Sequence, residues 1–433
     1  QLEFGDNAKL SFGASSDLQL FHDGNNSIIK NNTNILLLQS DNLQIKSADN
    51  VQHLIGADKN GSVRLNYSGN VKVETANTGA VVSGILTATS FSGDGTALSN
   101  TSHRRLNYNG SMTINQRGNA GGVTDTGYYC CDRYYTQMES SASGQWAITQ
   151  AADVPAGYGF KYSLEYACQA TSSNANRYLM TIYRMEGVDS QVFNYGTANA
   201  KTVTLSFWIK CSKAGNFQVN FENEQNPDAG YQTQQTINSA NTWEKKVVTI
   251  PGDTTKAFTW TTAKAMCFDI VYSAYGTYAS GTPSAAWSAL NNNQRGGHCN
   301  MDLFDSTSNY MKITGVQLEI GSTATDFEHI PFVDELTRCQ RYFEQLTVQR
   351  IPLFPNGNNG DNSEGTMPFK VEKRATPTSQ ILSLSVTVNG HHYTPSAQSA
   401  YSNVYGMSLF MTQVNSAYGS SVGIKEGVFT AYA

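Results

Sequence analysis

Residues 1 to about 100 repeat one short pattern, in which a few alternating apolar residues lead into or out of a turn. Strict alternation places apolar side chains on one face of a strand, and Asp-Gly and Asn-Gly pairs, here at 23–24 and 60–61, supply the positive φ of tight hairpin turns. The pattern therefore predicts a run of β-hairpins. Its alternating apolar positions are Leu18 and Leu20, Leu43 and Ile45, Val63, Leu65 and Tyr67, and Val71 and Val73.

This hairpin segment has too few apolar positions to bury a hydrophobic core of its own. Three copies wrapped about one axis would bury the apolar residues against each other and remove the open strand edges that invite aggregation. We therefore expect residues 1–102 to form an elongated shaft in a parallel homotrimer.

From Asn107 to about Pro331 the strands become longer, with clear alternation in Val203-Thr-Leu-Ser-Phe-Trp-Ile209. Antiparallel strands bounded by Gly, Asn and Pro turns, without a long helical period, favour a two-sheet sandwich of jelly-roll type. We assign this β-sandwich to residues 103–333. Further strands are expected at 217–221, 243–250, 267–272 and 311–320.

The third part, residues 334–433, is predicted to be a short helix followed by a small distal β-domain. Leu336, Cys339, Phe343 and Leu346 form one apolar stripe at helical spacing, and Asp334 suits a helix N-terminus. Strand and turn patterns follow. They comprise RIPLF at 350–354, a Gly/Asn loop at 356–365, ILSLSVTVNG at 381–390 and a last strand near 427–432.

Two sets of motifs resemble bacteriophage proteins. DLQLFHDGNNSIIKN at 17–31 and GILTATSFSGDGTALSN at 84–100 resemble segments of tail fibres of marine phages, especially cyanobacterial phages. NYNGSMTINQRG at 107–118, TVTLSFWIKCSKAGNFQVNFEN at 202–223 and ITGVQLEIGSTATDFEHIPFVDELTRCQRYF at 313–343 resemble phage receptor-binding proteins whose domains look like carbohydrate-binding modules. The resemblance implies a trimeric fibre shaft and a glycan-binding region, and no motif names the glycan.

Composition and charge narrow the classes of partner. Only 15% of the 433 residues are charged, and the formal net charge is -5. A protein of this composition lacks the basic surface that binds a phosphate backbone, so we expect no nucleic acid partner. The longest aliphatic stretch, 35–38, is too short for membrane insertion. Because the chain starts at Gln1, we expect a missing N-terminal part that joins other virion tail proteins.

Seven cysteines are an odd and thinly spread set, without the close-spaced Cys/His doublets that hold zinc. We interpret them as reduced core thiols of a protein that folds in a cytosol, here the host cytoplasm in which virions assemble. The vicinal pair Cys130-Cys131 is assigned to packing.

Two groups of carboxylates deserve testing as glycosidase residues, since a glycosidase needs two carboxylates about 5 to 10 Å apart. Charged residues at strand ends are more often solvated than catalytic. The sequence also shows no nucleophile elbow and no nucleotide-binding loop. We therefore expect no enzyme activity, no catalytic residues and no cofactor. The two groups are Glu222, Glu224 and Asp228, and Glu319, Asp326 and Glu328.

His391 and His392 follow an Asn-Gly turn. If this turn lies on a threefold axis, one imidazole from each chain could ligate a metal ion, whereas the alternative is an ordinary surface turn. Adjacent strand residues point to opposite faces, so only one of the two could serve.

Sugar binding calls for aromatic faces and for side chains that hydrogen-bond hydroxyl groups. The segment 272–295 is rich in both, although its rings could instead fill one end of the sandwich. A second, distal set of tyrosines has position in its favour. The candidate glycan-binding residues are Tyr272, Tyr275, Tyr278, Trp287, Asn292 and Arg295 in the segment, and Tyr393, Tyr401 and Tyr405 in the distal set.

These patterns predict a receptor-binding tail fibre on the virion tail, which attaches to host surface polysaccharide or lipopolysaccharide. The alternatives are a structural or decorating fibre on the capsid without a dedicated receptor, and a glycan-cleaving depolymerase. Linking three weak sites would raise the avidity for a repetitive glycan.

Overall fold

The protein is described by a computed structural model covering residues 3–77, 79–87, 104–138, 144–226, 229–348, 351–355, 362–388, 391–393, 397–412 and 422–432. Its chain divides into two compact units, Gln1–Leu98 and Ser99–Ala433. The all-β class expected from the sequence is confirmed, because the described elements are antiparallel strands joined by turns, with two short α-helices. The finer division of the second unit at residues 333 and 334 stays a prediction.

The first unit contains the predicted hairpins, arranged as one sheet of three strands and one of five, each in consecutive order. Ser68 and Gly69, between the paired residues Tyr67 and Asn70, both have positive φ, as a two-residue hairpin turn of type I′ requires. The strands are β1 (Lys9–Phe12), β2 (Leu18–His22), β3 (Ser27–Asn31), β4 (Asn42–Lys46), β5 (His53–Asp58), β6 (Val63–Tyr67), β7 (Asn70–Ala76) and β8 (Gly79–Val82).

Apolar residues line up across the larger of these two sheets. Ile45 pairs with Ile55, Ile55 with Leu65, and Leu65 with Val73. We call these four residues the apolar row. In the single chain Ile45 remains 47% exposed and Leu65 45% exposed. A face of this kind gains stability when other apolar surface covers it.

The second unit contains a β-sandwich of two antiparallel sheets, as predicted. One has the strand order β10-β13-β18-β15-β16 and the other the order β17-β14-β19-β12-β11-β9. The strands are β9 (Ala120–Val123), β10 (Tyr134–Met138), β11 (Gln145–Ala151), β12 (Ser163–Ala170), β13 (Tyr178–Glu186), β14 (Val203–Cys211), β15 (Gly215–Asn223), β16 (Gly230–Ile237), β17 (Glu244–Ile250), β18 (Lys264–Ala274) and β19 (Tyr310–Ile320).

The sandwich core draws side chains from both sheets. Leu205, Phe207 and Ile209 of β14 are completely buried at alternate positions, and Phe217 and Phe221 of β15 join the same apolar cluster. Four of the five segments that the sequence analysis predicted as strands here lie within strands, and the fifth, 243–250, begins one residue before β17. Burial on this scale is what stabilises a sandwich without help from another chain.

Two short helices interrupt the strands, α1 (Gly187–Ser190) and α2 (Phe332–Gln340). The predicted helix ends sooner than its apolar stripe implied, because Phe343 already belongs to the next strand. The buried face of α2 carries Glu335 and Cys339. Glu335 forms a buried ion pair with Arg105, so electrostatics as well as apolar packing fixes the helix against the start of the sandwich.

The distal sheet follows α2, with the strand order β24-β23-β27-β21-β22-β26-β25 and with β20 paired to β27. Within the predicted loop at 356–365, residues 356–361 lie outside the described residues, and β22 already begins at Asn362. The strands are β20 (Phe343–Val348), β21 (Ile351–Pro355), β22 (Asn362–Pro368), β23 (Thr378–Val388), β24 (His391–Tyr393), β25 (Ala397–Ser402), β26 (Gly406–Thr412) and β27 (Val422–Tyr432).

A buried ion pair joins α2 to the distal sheet. Lys373 Nζ lies 2.7 Å from a carboxylate oxygen of Glu344 and donates a second hydrogen bond to the carbonyl of Gln340 at the end of α2. Neither side chain is exposed to solvent. Removing either partner of such a pair would leave the other charge buried and uncompensated, which is strongly destabilising.

The cysteines are free thiols, and six of the seven are buried, as the sequence analysis predicted. Sγ of Cys130 lies 3.7 Å from Sγ of Cys131, inside the sandwich core. Among the described residues, neither helix has the length and apolar run that crossing a bilayer would require.

Candidate functional site

Among the predicted aromatic residues whose side chains the structure describes, the two most exposed belong to the distal sheet and its turn, where three strands form one open face. β25 pairs with β26 and β26 with β22, so that Tyr401 lies opposite Ser408 and Ser408 lies opposite Thr366. The neighbouring residues Met367 and Met407 are buried on the other face. Strand alternation therefore presents one tyrosine ring and two hydroxyl groups side by side.

The turn between β25 and β26 closes one end of this face. Oδ1 of Asn403 accepts hydrogen bonds from the backbone N–H groups of Tyr405 and Gly406, at 2.8 and 3.1 Å. The carbonyl of Tyr405 accepts a further bond from the N–H of Phe369. These bonds fix the backbone of the turn, while the Tyr405 side chain remains exposed.

Together these residues border an open groove of about 400 Å³, which we call the tyrosine groove. Tyr401 is 68% exposed and Tyr405 67% exposed. The hydroxyl oxygens of Thr366 and Ser408 lie 3.4 Å apart on its floor. Exposed rings beside hydroxyl groups can stack on a sugar ring and exchange hydrogen bonds with its hydroxyls. The groove is lined by Thr366, Pro368, Tyr401, Ser402, Asn403, Tyr405, Gly406 and Ser408.

The third predicted distal tyrosine does not lie beside the other two in the strand order. Tyr393 belongs to β24, at the opposite end of that order from β25. His391 and His392 lie on the same strand, paired with Val388 and Thr387. The side chains of residues 391–393 lie outside the described part of the structure, so the metal hypothesis for the two histidines stays a prediction.

The predicted segment 272–295 is divided between the core and the surface. The assignment of Tyr272 to a glycan-binding site is wrong. The ring of Tyr272 is completely buried, its centroid 5.6 Å from that of Tyr166, and its hydroxyl donates to Oγ1 of Thr181. A ring enclosed in this way has no face left for a sugar. Tyr272 is a core residue because it falls on the inner face of β18, before the loop begins.

The other aromatic residues of this segment are half-buried. The guanidinium of Arg177 lies 3.9 Å from the ring centroid of Tyr275, and the rings of Tyr178 and Tyr278 lie 4.2 Å apart. Trp287 donates its indole N–H to the carbonyl of Pro251 at 2.8 Å. These rings are therefore largely occupied by protein contacts.

Asn292 is exposed, in a 3₁₀ turn that spans Asn292–Gln294. It lies in the same segment as the half-buried rings, yet its own side chain faces solvent. The exposed part of the segment is thus polar, while its aromatic surface is mostly covered.

Arg295 also needs correction, because the structure gives its guanidinium a structural role. It contacts both carboxylate oxygens of Glu222, at 2.5 and 2.9 Å, and Oδ2 of Asp269 at 2.7 Å. Burial, reinforced by the charge of Asp269, raises the pKa of Glu222 to about 8. The sequence analysis missed Asp269, which follows the buried residue Phe268 on β18 and gave no signal as a polar site.

Atoms of Glu222, Cys267 and Asp269 lie within 4.8 Å of one another, a spacing that could suit a metal ion. The guanidinium of Arg295, however, already lies against both carboxylates. A second positive charge at this place would be repelled by the first. We therefore interpret the cluster as a buried ion-pair network.

Three of the remaining candidate carboxylates, Glu224, Glu319 and Glu328, have structural partners as well. Glu224 pairs with Nε of Arg184 at 2.6 Å, and Glu319 accepts hydrogen bonds from both the N–H and the hydroxyl of Thr325. Glu328 accepts from the N–H of Arg105, Asp326 is exposed, and Asp228 lies outside the described residues.

The class that these observations define is an antiparallel β-sandwich protein with an appended antiparallel sheet. Neither a family model nor a curated protein matches the chain. Several solved structures are similar to it.

One is the enzymatically active domain of tailspike protein 4 from bacteriophage CBA120, with 10% identity, a TM-score of 0.26 and coverage of 44% of this chain and 19% of that domain. This chain thus spans about a fifth of the tailspike domain's length.

Two others are carbohydrate-binding modules. A family 11 module of a Clostridium thermocellum cellulase has 10% identity, a TM-score of 0.22 and coverage of 47% of this chain and 97% of the module. A CBM4 module has 12% identity, a TM-score of 0.25 and coverage of 49% of this chain and 98% of the module.

Proposed function

We propose that this chain is the receptor-binding tail fibre of a bacteriophage, which attaches the virion tail to host surface glycan. The observation that carries the proposal is the tyrosine groove, where Tyr401 and Tyr405 expose their rings beside the hydroxyl groups of Thr366 and Ser408. The resemblance of residues 15–100 and 107–343 to phage fibre and receptor-binding proteins supports it.

The groove suits a neutral glycan. Its lining residues carry no charged side chain, so affinity would come from ring stacking and from hydrogen bonds to hydroxyl groups. It is open along one side, which suits a polymer that enters and leaves without threading. Each site of this kind binds weakly, and several linked sites are needed for stable attachment.

A homotrimer would supply the linked sites. The apolar row of the first unit is the supporting observation, because an aligned set of apolar side chains, with Ile45, Ile55 and Leu65 exposed, is the kind of surface that other chains cover. The proposed partners are thus two further copies of this chain, the host polysaccharide or lipopolysaccharide, and other tail proteins.

We further propose that the glycan is bound and not cleaved. The candidate carboxylates on the sandwich are held by arginine, backbone or hydroxyl groups, as described for Glu222, Glu224 and Glu319. A glycosidase instead needs two carboxylates facing each other across an accessible groove.

The test is binding of the full chain to an array of bacterial envelope polysaccharides and lipopolysaccharides. Tyr401→Ala and Tyr405→Ala should each weaken binding about fivefold per site, because a lost stacking ring removes on the order of 1 kcal/mol. Tyr158→Ala is the matched control, since this tyrosine is 51% exposed but lies outside the groove.

Equal binding by all three variants would refute the groove as the receptor site. New reducing ends after incubation with a bound polysaccharide would refute binding without cleavage. Immunogold labelling of intact virions on the capsid, with none on the tail, would favour the decorating fibre.

A further inference from the structure

A second cavity, of about 300 Å³, lies beside α2 within the second unit. Its wall includes the end of β13, the start of β18, the residues that follow α2, and Arg374. We call it the basic pocket. It differs from the tyrosine groove because most of its polar lining is charged.

The pocket is strongly cationic in a chain whose net charge is -5. Two carboxylates, Asp132 and Glu186, also line it, and each has a partner: Asp132 lies 2.9 Å from Arg117, and Glu186 is held by two hydrogen bonds from Arg341. Arg184 is likewise paired, with Glu224 at 2.6 Å. The positive charge of Arg133, Lys264 and Arg374 therefore remains in excess within a confined wall, where it attracts anions most strongly. Its cations are Arg117, Arg133, Arg184, Lys264 and Arg374.

Arg133 is the most unusual of these cations. It is 6% exposed, and among the described residues it has no carboxylate ion-pair partner. Its Nη2 donates a hydrogen bond to the carbonyl of Arg184, but its Nε has no hydrogen-bond acceptor in the described part of the chain. Its guanidinium instead lies 3.3 Å from the ring centroid of Tyr342. Its backbone also has a φ of 77°, which non-glycine residues seldom adopt. A buried donor without an acceptor is costly, and a bound anion would supply one.

Aromatic rings hold the other guanidinium groups in place. That of Arg117 lies 3.6 Å from the ring centroid of Phe343, and that of Arg184 lies 4.7 Å from that of Tyr135. Cation–π contacts of this kind restrict the arginine side chains before any ligand arrives. A preorganised site loses less entropy when it binds.

Two further cations are accessible from solvent. The Lys264 side chain is 58% exposed, and its only ion-pair partner among the described residues is Glu224, at 4.0 Å. Arg374 donates from Nη1 to the carbonyl of Thr262 at 3.0 Å, which leaves its positive charge without a carboxylate in the described part of the chain. Both can therefore meet an incoming ligand.

The apolar part of the wall determines what else the ligand carries. The half-buried rings of Tyr128 and Tyr135 meet edge to face, 4.9 Å apart. The cavity is at the small end of the range for organic ligands, which suits one sugar ring and excludes a folded polymer. Aromatic surface next to guanidinium groups fits a ring with an acidic substituent.

We propose that the basic pocket binds one sugar unit that carries a carboxylate or a phosphate group. The anionic group meets Arg133, Lys264 and Arg374, and the sugar ring lies along the tyrosines at the wall. This site is separate from the tyrosine groove, so either proposal can fail while the other stands. It adds a charge-selective contact to the neutral glycan contact proposed above.

The test is isothermal titration calorimetry of the full chain with galacturonate, galactose 1-phosphate, galactose and inorganic phosphate. The two acidic sugars should bind, and galactose should bind at least tenfold more weakly. The double variant Lys264→Gln, Arg374→Gln should reduce binding of the acidic sugars about a hundredfold, since a lost charged hydrogen bond costs roughly tenfold or more. Both side chains reach solvent, so the variant is expected to fold.

Lys245→Gln removes a matched positive charge from an exposed position on β17 and should leave the affinity unchanged. The binding constant should also fall as salt rises from low to physiological concentration. Binding of galacturonate by the double variant with wild-type affinity would overturn the proposal. Inorganic phosphate binding as tightly as galactose 1-phosphate would overturn its sugar component, and stronger binding of one acidic sugar would identify the acidic group.

Discussion

The strands of the hairpin unit and of the sandwich show the same alternation of apolar and other residues. The two regions differ in what covers the apolar face. In β14, Leu205, Phe207 and Ile209 alternate with other residues and are completely buried, whereas Val63 and Leu65 alternate in β6 and stay 46% and 45% exposed. Alternation specifies which side chains share a face. It does not specify whether the same chain provides the surface that covers that face.

This difference separates two ways of stabilising a β-sheet. The sandwich has an opposing sheet of its own, and its apolar cluster combines residues from both. The hairpin unit has aligned residues such as Ile55 and Leu65 on an open sheet. Its stability should therefore depend on association, while that of the sandwich should not.

The largest effect is expected from Phe207→Ala. This ring is completely buried between the two sheets, and truncating a buried phenylalanine typically costs about 3 to 5 kcal/mol through lost transfer free energy and a cavity. Chemical denaturation followed by tryptophan fluorescence should show the corresponding loss in free energy of unfolding. The number of associated chains should not change.

Val247→Ala provides the control for this prediction. Val247 lies on β17 and is 46% exposed. Its replacement by alanine should lower the free energy of unfolding by less than about 0.5 kcal/mol. A loss of similar size in both variants would mean that the sandwich does not rely on its own core.

The next largest effect is expected from Leu65→Asp in the hairpin unit. An aspartate in the middle of the apolar row would have to be buried without a partner when the chains associate, which is costly. Mass photometry at nanomolar concentration should detect three chains for the wild type and single chains for the variant. The unfolding of the sandwich should be unchanged.

Asn66→Asp introduces the same charge on the adjacent residue of β6, which points to the opposite face. It should therefore leave the trimer intact. A wild-type chain that remains a folded monomer would contradict the proposed trimer, and dissociation by Asn66→Asp alone would place the contact on the other face.

Local patterns accounted for most of the fold. The alternation in β14 and the turn pairs of the hairpin unit gave the strands, because periodicity and turn chemistry act over a few residues. The end of α2 was misjudged, since Phe343 continues the apolar stripe and still enters β20. Pairing with β27 decides that residue's conformation, and its partner Tyr432 is far away in sequence.

The candidate sites were less predictable. Nothing near Tyr272 distinguishes it from Tyr275, although one is on a buried strand and the other in a loop. The basic pocket was missed altogether, because Arg117, Arg184 and Arg374 come together only through the tertiary fold. Predicting such a site would require knowing which distant residues contact one another, and a single sequence does not show this.

The last prediction concerns pH and the buried network of Glu222, Asp269 and Arg295. Two carboxylates share one guanidinium there, so burial and the charge of Asp269 raise the pKa of Glu222 to about 8, from an ordinary value near 4.5. Between pH 4.5 and pH 8, the folded protein therefore holds a proton at Glu222 that the unfolded chain has already released. The stability from this group is present below about pH 4.5 and is lost as the pH rises towards 8.

Glu222→Gln should flatten this dependence, because glutamine cannot ionise and keeps a similar shape. The free energy of unfolding, measured by denaturation at several pH values between 5 and 8, should decline for the wild type and stay nearly level for the variant. Glu244→Gln is the control, since hydrogen bonds from Lys246 and from the N–H groups of Ser239 and Asn238 outweigh burial and lower the pKa of Glu244. Its loss should reduce stability by a constant amount over this range. If the Glu222→Gln slope equals that of the wild type, Glu222 is already ionised beside Arg295, and the sandwich tolerates two buried carboxylate charges around a single arginine.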